Sequence, residues 1–205
     1  MKTIIGFDYS MSKPAACVYH NDEYEFYSWP KDLNDKIKAI LESGGVNIIP
    51  RKNIEIKDIV KYDIINSDIL SDLIINSLDP FINKNTSIIF EGSSFASKGN
   101  VILSLTAWRY ILIHKLSKLI SLDNMITYAP ITIKKTANCA KRGMGKKEMI
   151  DAFVATGIDI PLRNAIEKNP AKFQKKTGNW IDHLDDFVDA YFAVETFQNK
   201  LVDAI

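Results

Sequence analysis

Cysteine is almost missing from this chain. Of 205 residues only Cys17 and Cys139 carry a thiol, and they lie far apart with no paired spacing. That leaves no disulfide framework to read, and it fits reduced thiols in a cytosolic compartment. Histidine is also scarce, with three residues and no cluster. No apolar run approaches the ~20 residues of a membrane span, so no membrane association is expected. The stretch from Met1 to Gly6 has one positive charge and no long apolar segment, and it is not expected to act as a signal peptide. Internal repeats and low-complexity tracts are absent as well.

What is there reads as an ordinary globular protein, with 46% hydrophobic and 25% charged residues. The length suits one domain over residues 1–205 with a full core, carrying insertions at 31–65 and 158–181. The net charge is only +1, but it is unevenly spread. Lys134 to Lys176 holds eleven Lys or Arg against four acids, whereas Asp182 to Glu195 holds five acids and no Lys or Arg. A basic segment running into an acidic cluster suggests a polyanionic substrate and a metal centre. The plainer alternative is a solvated basic loop beside an acidic helix start.

Apolar runs at Thr3–Asp8, Ala15–Tyr19 and Tyr24–Trp29, joined by short turns, predict an antiparallel meander. Leu33–Glu42 predicts a short helix closed by Gly44-Gly45, with Ile48-Ile49 and Ile54–Ile56 as possible short strands. Ser67 is placed to cap an amphipathic helix carrying Leu70, Ile74 and Leu78. Ser87–Glu91 is a second apolar strand ending on an acid, followed by a small-residue loop at 92–99. A long helix is expected over Asn100–Ile120. Its stripe of Val101, Leu105, Trp108, Leu112, Leu116 and Leu119 is widened by Ile102, Ile111 and Ile113, more than one core contact needs, which hints at a partner helix. Met125–Tyr128 predicts a strand, Lys134–Gly145 a basic loop, Lys146–Thr156 a helix, and Asp182–Leu201 a final helix. Strands alternating with helices after a meander give an α/β domain, a mixed sheet covered by helices.

Two apolar strands therefore end on acids, Asp8 and Glu91. As sheet neighbours they would place both carboxylates at one edge. On the last helix Asp182, Asp186 and Asp189 follow i, i+4, i+7 spacing and share a face. Acids at a helix start complement its dipole, which accounts for Asp182 and Asp185. Asp189 lies two turns in, where a stack of like charges is unfavourable unless a cation relieves it. Hard oxygen ligands without a His or Cys cluster point to Mg²⁺, with Mn²⁺ as a substitute, rather than zinc. Four carboxylates can hold two divalent ions in the arrangement used for in-line attack of water on a phosphodiester. His114 and His183 read as bystanders.

The segments Ile4-Ile5-Gly6-Phe7-Asp8, Ile88-Ile89-Phe90-Glu91, Tyr128-Ala129-Pro130 running to Lys134-Lys135-Thr136, the Gly/Lys-rich loop into Lys146-Lys147, and Asp186-Phe187-Val188-Asp189-Ala190 together resemble the RuvC-type Holliday junction resolvases. The likeness is to a divergent form such as phages carry. It implies a ribonuclease H-like fold with a mixed five-stranded sheet flanked by helices. It implies Asp8, Glu91, Asp186 and Asp189 as catalytic metal ligands, with Asp182 or Asp185 as substitutes for Asp186. Lys147 would join them as a catalytic cation, and Lys134, Lys135, Lys141, Arg142, Lys146 and Lys147 would contact DNA. Phe95 falls near an aromatic that the family sets against junction bases. The helix 100–120 matches the family's dimer helix. Ser10 stands where the family has glycine two residues after the first Asp. The implied activity is Mg²⁺-dependent resolution of four-way or other branched DNA by a homodimer, in the cytoplasm, or in the host cytoplasm if a phage encodes the chain. A ribonuclease H-like nuclease acting on RNA–DNA hybrids or flaps, and a non-catalytic DNA-binding module, are the alternatives.

Overall fold

A computed structural model describes residues 2–92 and 100–202. The three-strand meander is present: β1 (Ile4–Asp8), β2 (Ala15–His20) and β3 (Glu23–Ser28) pair antiparallel. The chain then forms α1 (Asp35–Ser43), β4 (Val46–Ile48), α2 (Ile59–Leu78), β5 (Ser87–Glu91), α3 (Asn100–Leu116) and β6 (Met125–Tyr128). Four helices follow: α4 (Pro130–Thr136), α5 (Lys146–Ala155), α6 (Pro161–Lys168) and α7 (Leu184–Val202). The sheet has six strands in the order β4-β3-β2-β1-β5-β6. The expectation of five is corrected by β4, whose three residues pair parallel to the outer edge of β3.

Both faces of the sheet are buried, which is why its central strands read as continuous apolar runs. Alternate residues go to opposite sides. Ile4, Cys17, Phe26 and Ile89 face α5 and α7. Ile5, Phe7, Val18, Ile88 and Phe90 face α2 and α3, where Leu70, Ile74, Trp108, Leu112 and Leu116 close the second core. Asp63 ties these two helices together, accepting from Ser104 Oγ at 2.6 Å and Trp108 Nε1 at 2.8 Å.

Several helix bounds differ from expectation. α2 starts at Ile59 rather than near Ser67, capped by Asp58, whose side chain accepts from the Val60 and Lys61 amides. Its extra turns carry Ile59, Val60 and Ile64 in exposed positions, so they lack an inward stripe. α3 ends at Leu116, short of Ile120. Trp108, Leu112 and Leu116 are buried while Leu105, Ile102, Ile111 and Ile113 are half-buried. Leu119 is exposed, as are Leu103 and Tyr110. Lys134 belongs to α4 rather than to a loop, and the 158–181 stretch contains α6. No described helix is long and apolar enough to cross a membrane.

Candidate active site

β1 and β5 are parallel neighbours, paired from Ile4 with Ser87 to Phe7 with Phe90. Their C-terminal ends therefore bring Asp8 and Glu91 side by side, as the two strand-end acids suggested. The third contribution comes across the sheet face. Gly6 lets α7 lie directly on β1: a Cβ there would collide with the Ala190 carbonyl oxygen and stand 2.9 Å from Val194 Cγ2. That close approach delivers Asp189 to the same point. Asp8, Glu91 and Asp189 offer carboxylate oxygens that all lie within 4.8 Å of one another.

Such a cluster is electrostatically strained without a cation. Burial, then Asp186, Glu91 and Asp189, push the Asp8 carboxyl well above its ordinary range. Asp189 is pushed up to about 8, first by burial and then by Glu91, Asp185 and Asp186, with Lys134 opposing. Glu91 is also raised by burial, against the pull of Lys134. Three hard oxygen donors that resist sharing negative charge form a donor set that suits a divalent cation of the Mg²⁺ or Mn²⁺ type.

Asp186 stands apart from this trio. It neighbours Asp8, whose carboxyl its charge helps to raise, but its Oδ2 is bound to His183 Nδ1. The other ring nitrogen, Nε2, lies 2.6 Å from Ser28 Oγ, which donates to the Pro14 carbonyl at 2.8 Å. Both ring nitrogens are therefore engaged, Nε2 by Ser28 and Nδ1 by Asp186, which fixes the ring's orientation. His183 is buried and left-handed at φ 78°, outside the helix that begins at Leu184. His183, read from the sequence as a bystander, is in contact with the Asp186 carboxylate. The shared helix face is corrected, because Asp182 precedes α7, is exposed, and pairs with Lys175 at 2.6 Å. Asp185 is buried in an ion pair with Lys146.

The carboxylates open onto a cleft of about 330 Å³, whose walls include Lys134, Lys146, Arg109 and Tyr9. Lys146, not Lys147, lines it; Lys147 is exposed on the flank of α5. Lys135, Lys141 and Arg142 are exposed outside the cleft lining. Phe95 lies outside the described residues. Arg109 and Tyr9 were not singled out from sequence. Arg109 donates to the Glu91 carbonyl at 3.0 Å, fixing the end of β5. The Tyr9 hydroxyl is buried with no hydrogen-bond partner among the described residues, and burial raises its proton affinity. The signal for Arg109 was available, since it is the sole arginine of a helix whose other basic residues, His114 and Lys115, sit in its last turn.

At the level of sequence, no protein-family model and no curated protein matches the chain. The fold does match solved structures. A Thermus thermophilus RuvC structure superposes with a TM-score of 0.53 at 9% identity, over 97% of this chain and 96% of that one. T. thermophilus RuvC in complex with a Holliday junction substrate gives 0.54 at 8% identity, over 98% and 96%. The yeast mitochondrial Holliday junction resolvase Ydc2 gives 0.54 at 11% identity, over 98% of this chain and 80% of that one. The chain is therefore an α/β protein of ribonuclease H-like fold. Within that class it has the fold of the RuvC-type resolvases, with an acidic cluster suited to a divalent ion at the ends of its two central parallel strands.

Proposed function

We propose that this chain is a metal-dependent endodeoxyribonuclease that cuts branched DNA, four-way junctions foremost. The observation that carries the reading is the convergence of Asp8, Glu91 and Asp189 at the mouth of a lysine-walled cleft. Divalent ions held there, two per site with Asp186 as a further ligand, would activate water and stabilise the leaving oxygen of a phosphodiester. The protein's own part is positional. The β1 and β5 ends and α7 fix the carboxylates, His183 holds Asp186, and Lys134 and Lys146 place positive charge where a phosphate would lie. Lys135, Lys141, Arg142 and Lys147 supply further phosphate contacts on the exposed flank, and Phe95 is assigned to the junction bases. The molecule acts as a homodimer through α3, whose exposed Leu103 and Tyr110 continue onto no described core. A two-fold pair of sites matches a two-fold junction.

The deciding experiment is a substrate panel: four-way junction, flap, RNA–DNA hybrid and plain duplex, each with Mg²⁺, Mn²⁺, Ca²⁺ or chelator. Paired cuts in the junction with Mg²⁺ or Mn²⁺, and binding without cutting in Ca²⁺, are expected. Asp8→Asn should bind and not cut. Preferential cutting of the hybrid or flap transfers the site to another nuclease activity, and wild-type rates in Asp8→Asn overturn the metal site itself. Sedimentation at micromolar concentration tests the dimer, which a monomer both free and on the junction would refute.

A further inference from the structure

The α1–β4 part of the 31–65 segment packs directly against the 158–181 segment. Gly44 packs so tightly that a Cβ would stand 3.0 Å from Leu162 Cδ1, and Gly45, at φ 81°, would come to 2.8 Å from Pro161 Cβ. Lys172 Nζ donates to Ser43 Oγ at 2.7 Å. Residues 174 and 180 form a bridge, and the Ile181 amide donates to the Phe173 carbonyl at 2.9 Å.

This frame encloses an open hollow of about 410 Å³ between α1 and residues 171–181. Lys36, Lys172, Lys175 and Lys176 stand around it over a floor of Ile37, Ile40 and Ile181, and no acid is among its described lining residues. All four lysines are exposed. Lys175 has an anionic partner, Asp182. Lys172 meets only a neutral hydroxyl, and no ion pair forms at Lys36 or Lys176 among the described residues. Like charges gathered on a rigid frame raise a positive potential that an external anion would relieve.

The hollow is linked to the cleft by two ion pairs close in sequence. Lys175 at the hollow pairs with Asp182, and, three residues on, Asp185 pairs with Lys146, which lines the cleft. Exposed ammonium groups spread over an open surface grip a compact anion poorly, but they match an extended polyanion that touches each in turn.

We propose that this surface carries the phosphate backbone of a duplex arm leaving the catalytic cleft, a reading that rests on the DNA-cutting function above. The two segments thus form an arm-binding platform, and its contacts set how far along the DNA the protein reaches.

The test uses the full chain in chelator, so that nothing is cut. The K36Q/K172Q/K176Q variant and the wild type are titrated with four-way junctions whose arms are about one or about three helical turns long, over a range of salt. Each phosphate that is no longer neutralised lowers the slope of log affinity against log salt by about 0.9, so the variant's slope on long arms should fall by about 2 to 3. Short-arm binding should match wild type, and K36R/K172R/K176R should restore long-arm binding. An unchanged slope and affinity on long arms would overturn the platform while leaving the nuclease reading intact. If wild type binds no DNA of any form, the nuclease reading fails and the platform with it.

Discussion

Replacing Asp189 with asparagine should stabilise the metal-free protein while disabling its metal site. Asp189 is pushed up to about 8 from the ordinary aspartate value of 3.8. A carboxyl that holds its proton more tightly when folded binds more protons in the native state over that interval. Stability therefore falls as pH rises from about 4 to about 8, and the penalty is complete above the folded value. At about 1.4 kcal/mol per tenfold in proton affinity, the full climb is an upper bound of about 6 kcal/mol. Solvent reaching the half-buried carboxylate and the sharing of charge among its neighbours reduce this to about 1–3 kcal/mol. Asparagine keeps the shape and removes the charge. In urea unfolding with chelator present, Asp189→Asn should exceed wild type by that margin near pH 9, and the gain should vanish near about pH 4.5. Mn²⁺ at about a hundredfold its dissociation constant should add about 2.7 kcal/mol to wild type and far less to the variant. An Asp189→Asn protein less stable than wild type at high pH, or a gain independent of pH, would refute the reasoning.

Other expectations follow from single contacts. His183→Asn tolerates the left-handed backbone but lacks the ring that holds Asp186. Mn²⁺ affinity measured by calorimetry should fall about 10–100-fold with little change in unfolding midpoint, and unchanged affinity would return His183 to a packing role. Lys146→Ala leaves the buried Asp185 carboxylate unpaired and removes a cleft cation. It should lose about 1–2 kcal/mol in urea unfolding and lower kcat more than it raises KM, whereas a pure KM effect would place Lys146 in ground-state binding alone. Gly6→Ala drives a methyl into the Ala190 carbonyl, and should cost about 1–3 kcal/mol and weaken metal binding in parallel. Wild-type values for both would mean that α7 does not rest on β1 as described.

The strand-end acids were legible because a short apolar run stopped by a carboxylate is a local pattern, whereas the parallel pairing of β1 with β5 that brings them together was only a condition of the reading and comes from the fold. Asp189 was legible from its position two turns into the helix between Val188 and Ala190, too deep for an acid that merely complements the dipole. Other features depended on tertiary contacts that sequence spacing does not record. His183 adopts a left-handed backbone, so the helix starts two residues later, at Leu184, and Asp182 drops off the expected face. Lys146 and Lys147 are adjacent at a helix start, where a rotation of about 100° decides which one enters the cleft. The first turns of α2 present Ile59, Val60 and Ile64 outward, which inverts the usual sign of the pattern. β4 is three residues long and supported by one neighbour, too little for alternation to declare.

The seat that Gly6 makes for α7 has a consequence in time. Asp8 and Asp189 meet only because the first strand waits for the last helix. Translation at about 5–20 residues per second separates their emergence from the ribosome by on the order of ten seconds. Until α7 docks, β1 has an open face where Gly6 and Ala190 will touch, and the acid cluster lacks one member. A nascent chain therefore cannot assemble the metal centre, whatever ion concentration surrounds it. The cluster is completed only when α7 docks on β1, so a truncated product ending before α7 should lack the divalent-ion affinity of the full chain.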